Sequence, residues 1–310
     1  MKLISELRDG DHFKSQFLVV SANRGVTNAG LQYLNMELRD ASGSMGAKKW
    51  EISPSDLELL VQGNILEFEG DVILFKDNLQ MKILGVSPVN ADEVDAMRFV
   101  KAPPIPQEQL EAKLNSYIKE IKDPDFLKLL DYFITPNKDK YFSYPAGVSV
   151  HHEYYAGLLV HVTSLLDIAK GVLPIYETLD KDLLYTGIIL HDFGKLIELE
   201  GPAVYHYTVE GKLIGHISIM MGEIDKACMK LGLDGEKVIL LKHMILSHHG
   251  QLEYGSPVLP CTKEALLLSF IDNLDSKMVL SLKALETVKE GEFTQKIFHL
   301  DNRMLYKQHK

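Results

Sequence analysis

The sequence predicts a multidomain chain in which a small all-β barrel precedes an all-α domain. Three observations carry that expectation: period-two apolar patterning up to about residue 90, a charged, proline-bearing stretch after it, and helical periodicity from there onward. The chain has 310 residues, of which 46% are apolar and 25% charged, enough for two ordinary domains with cores of their own.

The first domain is read strand by strand. In LQYLNMELRD, Leu34, Met36 and Leu38 alternate with Tyr33, Asn35, Glu37 and Arg39, which marks a strand with one buried face. Similar runs occur in HFKSQFLVV, AKKWEI, NILEFEGDVILF and NLQMKILGV, separated by turn-rich segments such as NRGVTNAG and DASGSMG. Between the third and fourth runs, SPSDLELLVQG begins with Ser53, Pro54 and Ser55 and reads as a capped short helix. Five strands with a helix between the third and fourth follow the OB-fold plan, assigned to residues 1–90.

ADEVDAMRFVKAPPIPQEQ is the expected linker, residues 91–106, stiffened by Pro103, Pro104 and Pro106. From residue 107 to residue 310 the pattern is helical, in segments such as QEQLEAKLNSYIKEI, YYAGLLVHVTSLLDIAK, DKDLLYTGIILHD, GHISIMMGEIDKACMKLG, GEKVILLKHMILSHH and KEALLLSFIDNLDSKMVLSLKALETV.

Composition narrows the function classes. The start, MKLISELRDGDHF, has no long apolar run, and no later segment approaches the length of a membrane span, so a cytoplasmic protein without membrane partners is expected. Cys228 and Cys261 are the only cysteines, too few for a disulfide framework or a thiolate zinc site. Any metal would have to use histidine and carboxylate. A net charge of −10 argues against a broad electrostatic grip on duplex nucleic acid.

Nine of the twelve histidines fall between residues 151 and 249. His161 lies in GLLVHVTSLL, His191 and Asp192 close IILHD, His216 opens GHISIMM, His248 and His249 close MILSHH, and Asp272 lies in LLLSFIDNLDSK. Each sits in an apolar helix, where a polar group without a partner is expensive, and a shared metal is the common partner that satisfies them all. Imidazole and carboxylate donors suit Mn²⁺, Fe²⁺ or Co²⁺. Six ligands exceed one open tetrahedral site, so two ions are expected, with Asp192 able to bridge them.

The order H, HD, H, HH, D resembles the HD superfamily of metal-dependent phosphohydrolases between about residues 145 and 285. The resemblance implies that His161, His191, Asp192 and Asp272 hold one ion, with Asp192 bridging to a second held by His216 and His248. It further implies that His249 faces the substrate phosphate, and that Lys195 in HDFGK is similar to a lysine set against that phosphate. Asp192, Lys195 and His249 are thus the expected catalytic group. His152, in HHEYY, is expected to contact substrate, His243 to be structural, and His206 and Asp275 to stand apart from the site. Asp275 follows Asp272 by three residues, so either could be taken for the ligand; Asp272 is preferred because it directly follows the apolar run.

On the barrel, Tyr33, Arg39, Lys48 and Lys82 are candidates for binding a single strand, Lys76 is a further cation, Trp50 is expected in the core, and Phe75 fits either environment. Residues 1–90 carry nine Lys and Arg against twelve Asp and Glu, so binding is expected to be weak or to draw on several copies in a homo-oligomer. With PAGVSVHHEYYAGLLVHV and IILHDFGK following the barrel, the whole chain resembles the YhaM-type 3′-to-5′ exoribonucleases of Gram-positive bacteria. That resemblance implies Mn²⁺-favoured hydrolysis of single-stranded RNA, and to some extent single-stranded DNA, from the 3′ end to nucleoside monophosphates. The alternatives are an HD phosphodiesterase or phosphohydrolase of small nucleotides, and a non-catalytic single-strand DNA-binding factor.

Overall fold

The structure is a computed structural model that describes residues 2–27, 30–76, 78–90, 96–100, 105–147, 154–201 and 205–309. The chain divides into two compact units, Met1–Ala102 with Gly201–His206, and Pro103–Glu200 with Tyr207–Lys310.

The first unit contains strands β1 (His12–Val26), β2 (Gln32–Asp40), β3 (Gly43–Trp50), β4 (Ile65–Phe75) and β5 (Asn78–Pro88), with helix α1 (Pro54–Leu59) between β3 and β4. The strands close in the order β1-β2-β3-β5-β4. All pairs are antiparallel except β3 with β5. This is an OB-fold.

Closure depends on the long β1, which pairs with β4 through its first half and with β2 through its second, bending at a bulge between Val19 and Ser21. The alternation read from β2 points Leu34, Met36 and Leu38 inward to meet Phe17, Phe68, Val72 and Met81. Ser53 caps α1 reciprocally: its hydroxyl accepts from the Asp56 N–H at 3.1 Å, and the Asp56 carboxylate accepts from the Ser53 N–H at 2.8 Å.

Two expectations for this unit are corrected. Trp50 is 41% exposed. The parity of β3 explains it, because Ala47 and Lys49 take the buried face and leave Lys48 and Trp50 outside. The expected linker is partly folded: Ala96–Phe99 form a 3₁₀ turn, Phe99 is buried, and the Arg98 carbonyl accepts from the Ala41 N–H at 2.8 Å. Pro103 and Pro104 lie outside the described residues, and Pro106 immediately precedes the first helix of the second unit.

That unit contains α2 (Gln107–Ile118), α3 (Pro124–Ile134), α4 (Lys138–Ser143), α5 (Gly157–Val172), α6 (Lys181–Leu190), α7 (Lys195–Glu198), the two-residue strand β6 (Leu199–Glu200), α8 (Val209–Leu231), α9 (Glu236–Ser247) and α10 (Lys263–Glu286), while the two-residue strand β7 (His206–Tyr207) falls on the division. Asp123, Asp180, Thr208 and Thr262 cap α3, α6, α8 and α10 with side-chain oxygens. In α6 every residue from Leu183 to Leu190 is buried, as befits a helix packed by α3, α5, α9 and α10. Gly187 allows α9 to come close, since a Cβ there would stand 2.4 Å from the Met244 methyl carbon. Among the described residues, no helix is long and apolar enough to cross a membrane.

Gly70 provides the stability test for the barrel. It lies at the bulge between β4 and β5, where a Cβ would stand 2.3 Å from the Lys82 carbonyl oxygen. Gly70→Ala is expected to destabilise the protein by about 1–3 kcal/mol through overpacking, read from urea unfolding of the barrel; an unchanged midpoint would contradict the close approach.

Candidate metal centre

The clustered histidines come from four places in the helical unit, and each place sets how the ring is held. His191 and His248 are the residues that end α6 and α9. The last carbonyls of a helix lack intrahelical partners. His191 Nδ1–H donates to the Ile188 carbonyl at 2.8 Å, and His248 Nδ1–H donates to the Ile245 carbonyl at 2.7 Å. A carbonyl only accepts, so the proton of each neutral ring is on Nδ1 and the Nε2 lone pair points away from the helix end. His249 repeats the arrangement, donating from Nδ1 to the Tyr254 carbonyl at 2.7 Å.

His161 lies in the middle of α5 and is fully buried. Its Nδ1 meets Asp275 Oδ2 at 2.7 Å. His216 follows a break in α8 and meets Glu198 Oε1 at 3.1 Å through Nδ1. All five rings are therefore tied down at Nδ1, the pattern by which proteins orient imidazole ligands.

The Nε2 atoms of His161, His191, His216 and His248 surround Asp192, whose two carboxylate oxygens face different neighbours. Oδ2 lies 3.3 Å from His191 Nε2, 3.9 Å from His161 Nε2 and 2.7 Å from Lys195 Nζ. Oδ1 lies 3.4 Å from His216 Nε2 and 3.7 Å from His248 Nε2. Asp272 Oδ1 is 3.2 Å from His161 Nε2, which is itself 3.3 Å from His191 Nε2. Donors bound about 2.1 Å from one ion stand roughly 3.0–3.4 Å apart, so these separations have the scale of a coordination polyhedron.

The donors fit a cation on a second count. Asp192 Oδ1, His216 Nε2 and His248 Nε2 are buried side-chain atoms with no hydrogen-bond partner among the described residues. Leaving such atoms unpaired is costly. Three groups have the reach to share an ion: His161, His191 and Asp192; His191, His248 and Asp272; and His216, His248 and His249. The ends of α6 and α9 also turn the negative poles of their dipoles toward the cluster, which favours cations.

Charge is arranged accordingly. Burial works to raise the Asp192 carboxyl, but the Lys195 ammonium and His191 hold it well below the usual carboxylate range. Burial opposes ionisation of Asp272 as well, and His161 outweighs it. The Lys195 ammonium would lose its proton more readily through burial, yet the Asp192 carboxylate holds its value above the ordinary one. Burial would lower His161, but Asp272 and Asp275 push it up to about 10. Burial takes His248 well below the usual imidazole value, with His249 adding to the effect, and it lowers His249, where His216 adds.

The structure thus brings His161, His191, Asp192, Lys195, His216, His248, His249 and Asp272 together. His152 lies outside the described residues. Lys195 is buried, not a solvated surface lysine. Asp275, expected to stand apart, touches His161 directly, and its position one turn after Asp272 was the available signal. Glu198 had no such signal, because it meets His216 only by tertiary contact, eighteen residues away along the chain. His243 holds a loop, accepting the Cys261 N–H at 2.8 Å through Nε2.

The residues from 158 to 277 match the family model of the HD domain. The HD domain is a family of metal-dependent phosphohydrolases, and the matched stretch contains every histidine and carboxylate of the cluster. Similar solved structures cover the barrel. The second OB-fold domain of replication protein A from Methanococcus maripaludis is 20% identical over 30% of this chain and 98% of that one, with a TM-score of 0.23. Protein PriB from Ralstonia solanacearum is 21% identical over 25% of this chain and 97% of that one, TM-score 0.22. The SSB domain of a Synechococcus sp. protein is 11% identical over 26% and 98%, TM-score 0.23.

On the barrel itself, Tyr33 and Trp50 lie side by side with ring centroids 4.8 Å apart and planes inclined at 34°. Lys48 Nζ stands 5.5 Å from the Tyr33 ring, 5.8 Å from Trp50 and 5.2 Å from Phe75. Phe75 is 46% exposed, and Lys76 Nζ lies 5.5 Å from its ring. Lys82 neighbours Lys48 across the parallel β3–β5 pair. Arg39 shares the outward side of β2 with Tyr33 but lies six residues along the strand, about 20 Å away, where it donates to Ser44 Oγ at 3.2 Å.

Acid should weaken the centre. For His248 and His249, whose folded values are depressed, the contribution to stability is complete above about pH 6.5 and is lost as pH falls through the folded values. His161 has the opposite sense: its contribution is complete below about pH 6.5 and is lost as pH rises toward about 10. A bound ion needs all of these rings unprotonated at Nε2. The rise in melting temperature produced by Mn²⁺ is therefore expected to be larger at pH 7.5 than at pH 5.5, and equal rises would contradict a histidine-based site.

Proposed function

We propose that the chain is a metal-dependent 3′-to-5′ exoribonuclease of the YhaM type, hydrolysing single-stranded RNA, and single-stranded DNA less well, to nucleoside monophosphates in the cytoplasm. The observation that carries the phosphohydrolase part is the set of four histidines held at Nδ1, with Nε2 turned toward a carboxylate whose two oxygens face two groups of donors. His161, His191, Asp192 and Asp272 would hold one ion, and Asp192, His216 and His248 a second, with Mn²⁺ favoured over Fe²⁺ and Co²⁺. Such ions supply Lewis acidity, activating water and neutralising charge on the phosphoryl oxygens.

The remaining chemistry falls to the chain. Lys195, 2.7 Å from Asp192 and buried, adds positive charge where phosphate oxygens become more negative. His249 donates its Nδ1–H to the Tyr254 carbonyl, which leaves Nε2 to take a proton from solvent and deliver it to the departing oxygen. The packed walls of α5, α6, α9 and α10 hold these groups rigid. Tyr33, Trp50, Phe75 and Lys48 support the polymer reading, since aromatics beside a cation form a platform for successive bases. Lys82 extends that face, and Arg39 would serve a more distant nucleotide. The barrel's small positive charge makes avidity in a homo-oligomer part of this reading.

Asp192→Ala or His191→Ala is expected to lower Mn²⁺-dependent hydrolysis of an RNA oligomer by more than about 100-fold with far-UV circular dichroism preserved. Near-normal turnover would remove both from the site. Trp50→Ala should weaken single-strand binding about 5- to 100-fold while leaving hydrolysis of a model phosphodiester unchanged; loss of both would make Trp50 a structural residue. A 5′-labelled RNA with a 3′ overhang should shorten progressively to the duplex edge, whereas cleavage of circular RNA would overturn the exonuclease reading. Running RNA, a cyclic dinucleotide and a deoxynucleoside triphosphate side by side separates the polymer activity from that on small nucleotides.

A further inference from the structure

We infer that Glu198 is a positioning residue of the metal centre, the buried carboxylate that fixes the tautomer and the direction of His216. The inference rests on the reading of His216 as a metal ligand and concerns how this chain holds it.

The histidines that end α6 and α9 find backbone carbonyls for their Nδ1–H groups because a helix C-terminus leaves carbonyls unpaired. His216 is placed the other way round. Helix α8 is interrupted at Gly215, with φ 77° and ψ 151°, and His216 opens the segment that follows. The start of a helix leaves N–H groups unpaired and offers the ring no carbonyl. A side-chain acceptor has to be supplied, and Glu198 supplies it twice: Oε1 accepts the His216 backbone N–H at 3.0 Å and the ring Nδ1–H at 3.1 Å.

Glu198 is 7% exposed and closely held. Its carbonyl accepts from the Thr208 N–H at 2.9 Å, and the Thr208 hydroxyl accepts the Gly211 N–H at 2.8 Å at the start of α8. Gly211 fits there because a Cβ would stand 2.2 Å from the Glu198 carbonyl oxygen, and Gly194 fits the HD turn because its Cβ would stand 2.2 Å from the His216 carbonyl oxygen. The turn bearing Asp192, the carboxylate of Glu198 and the first residue of the second helical segment are thereby packed as one piece. A carboxylate that served only the helix would need the backbone N–H alone. The ring contact is what turns the His216 Nε2 lone pair to Asp192 Oδ1, 3.4 Å away.

The test uses the full-length chain. Mn²⁺ binding is followed by calorimetry for the wild type, Glu198→Ala, Glu198→Gln and His216→Ala, and for Glu198→Ala combined with His216→Ala. Nitrogen-15 spectra of the imidazoles report the tautomer of His216. Glu198→Ala is expected to weaken one class of Mn²⁺ site about 10- to 100-fold and leave the other unchanged. Glu198→Gln, which keeps an acceptor, should stay within about 10-fold of the wild type. Removing Glu198 in the His216→Ala background should cost nothing further, and the His216 Nδ1–H signal of the wild type should persist in Glu198→Gln and give way to a mixture in Glu198→Ala. Wild-type affinity in Glu198→Ala, an additive loss in the double variant, or an unchanged tautomer would each overturn the inference. Should Glu198→Ala fail to fold, a Glu198→Gln protein that folds but loses the Nδ1–H tautomer overturns it as well. Failure of the wild type to bind Mn²⁺ is a different result, one that also removes the metal reading of the site.

Discussion

Five imidazoles and two carboxylates converge at one point inside an apolar helical bundle, and the need to satisfy their polar atoms governs the rest of that unit. No ring is left to choose its own orientation. A helix end supplies a carbonyl to His191 and to His248, while His161, in mid-helix where every carbonyl is already engaged, relies on Asp275. The apolar character of α6 follows from the same need, because a helix buried on all sides is a rigid mount for the residues at its end. Gly187 belongs to this arrangement, letting α9 approach closely enough for the two helix ends to meet.

The two units place their chemistry by opposite uses of the same alternation between buried and exposed positions. In the barrel the core residues leave the other face of each strand free, and Tyr33, Lys48 and Trp50 gather on that outer surface. In the helical unit the polar residues point inward and are enclosed. A sheet can afford an outward site because its hydrogen bonds are already complete along the strands, whereas a metal-ligating cluster depends on exclusion of water for the strength of its electrostatics.

Most of this was legible in the sequence, and for identifiable reasons. The period-two pattern of β2 located the barrel core, and the Ser53-Pro54 start located α1. The spacing of histidines among apolar helices located the cluster. What escaped was either parity or tertiary contact. Trp50 was expected inside because tryptophan is large and apolar, but Ala47 sets the inward parity of β3 and Trp50 falls on the other side. Asp275 could have been found from its one-turn offset to Asp272, a residue that occupies the same face of α10. Glu198 could not: eighteen residues separate it from His216, and no period links them. The linker was misjudged at its beginning because the short 3₁₀ turn that buries Phe99 has too few residues to show a period.

The interruption of α8 at Gly215 has a bearing on how this chain tolerates changes in length. A residue inserted into a continuous helix turns everything beyond it by about 100° and would carry a side chain off its face. Between His216 and Leu231 that penalty applies in full, since the segment packs against α9 with Met220, Ile224 and Ala227 buried. Ahead of Gly215 it does not, because helical phase is reset at a residue with a left-handed backbone angle. Ahead of the break the register is held by contact instead of helical phase, with Thr208 and Gly211 tied to Glu198, so the two sides of Gly215 fix the position of His216 by different means.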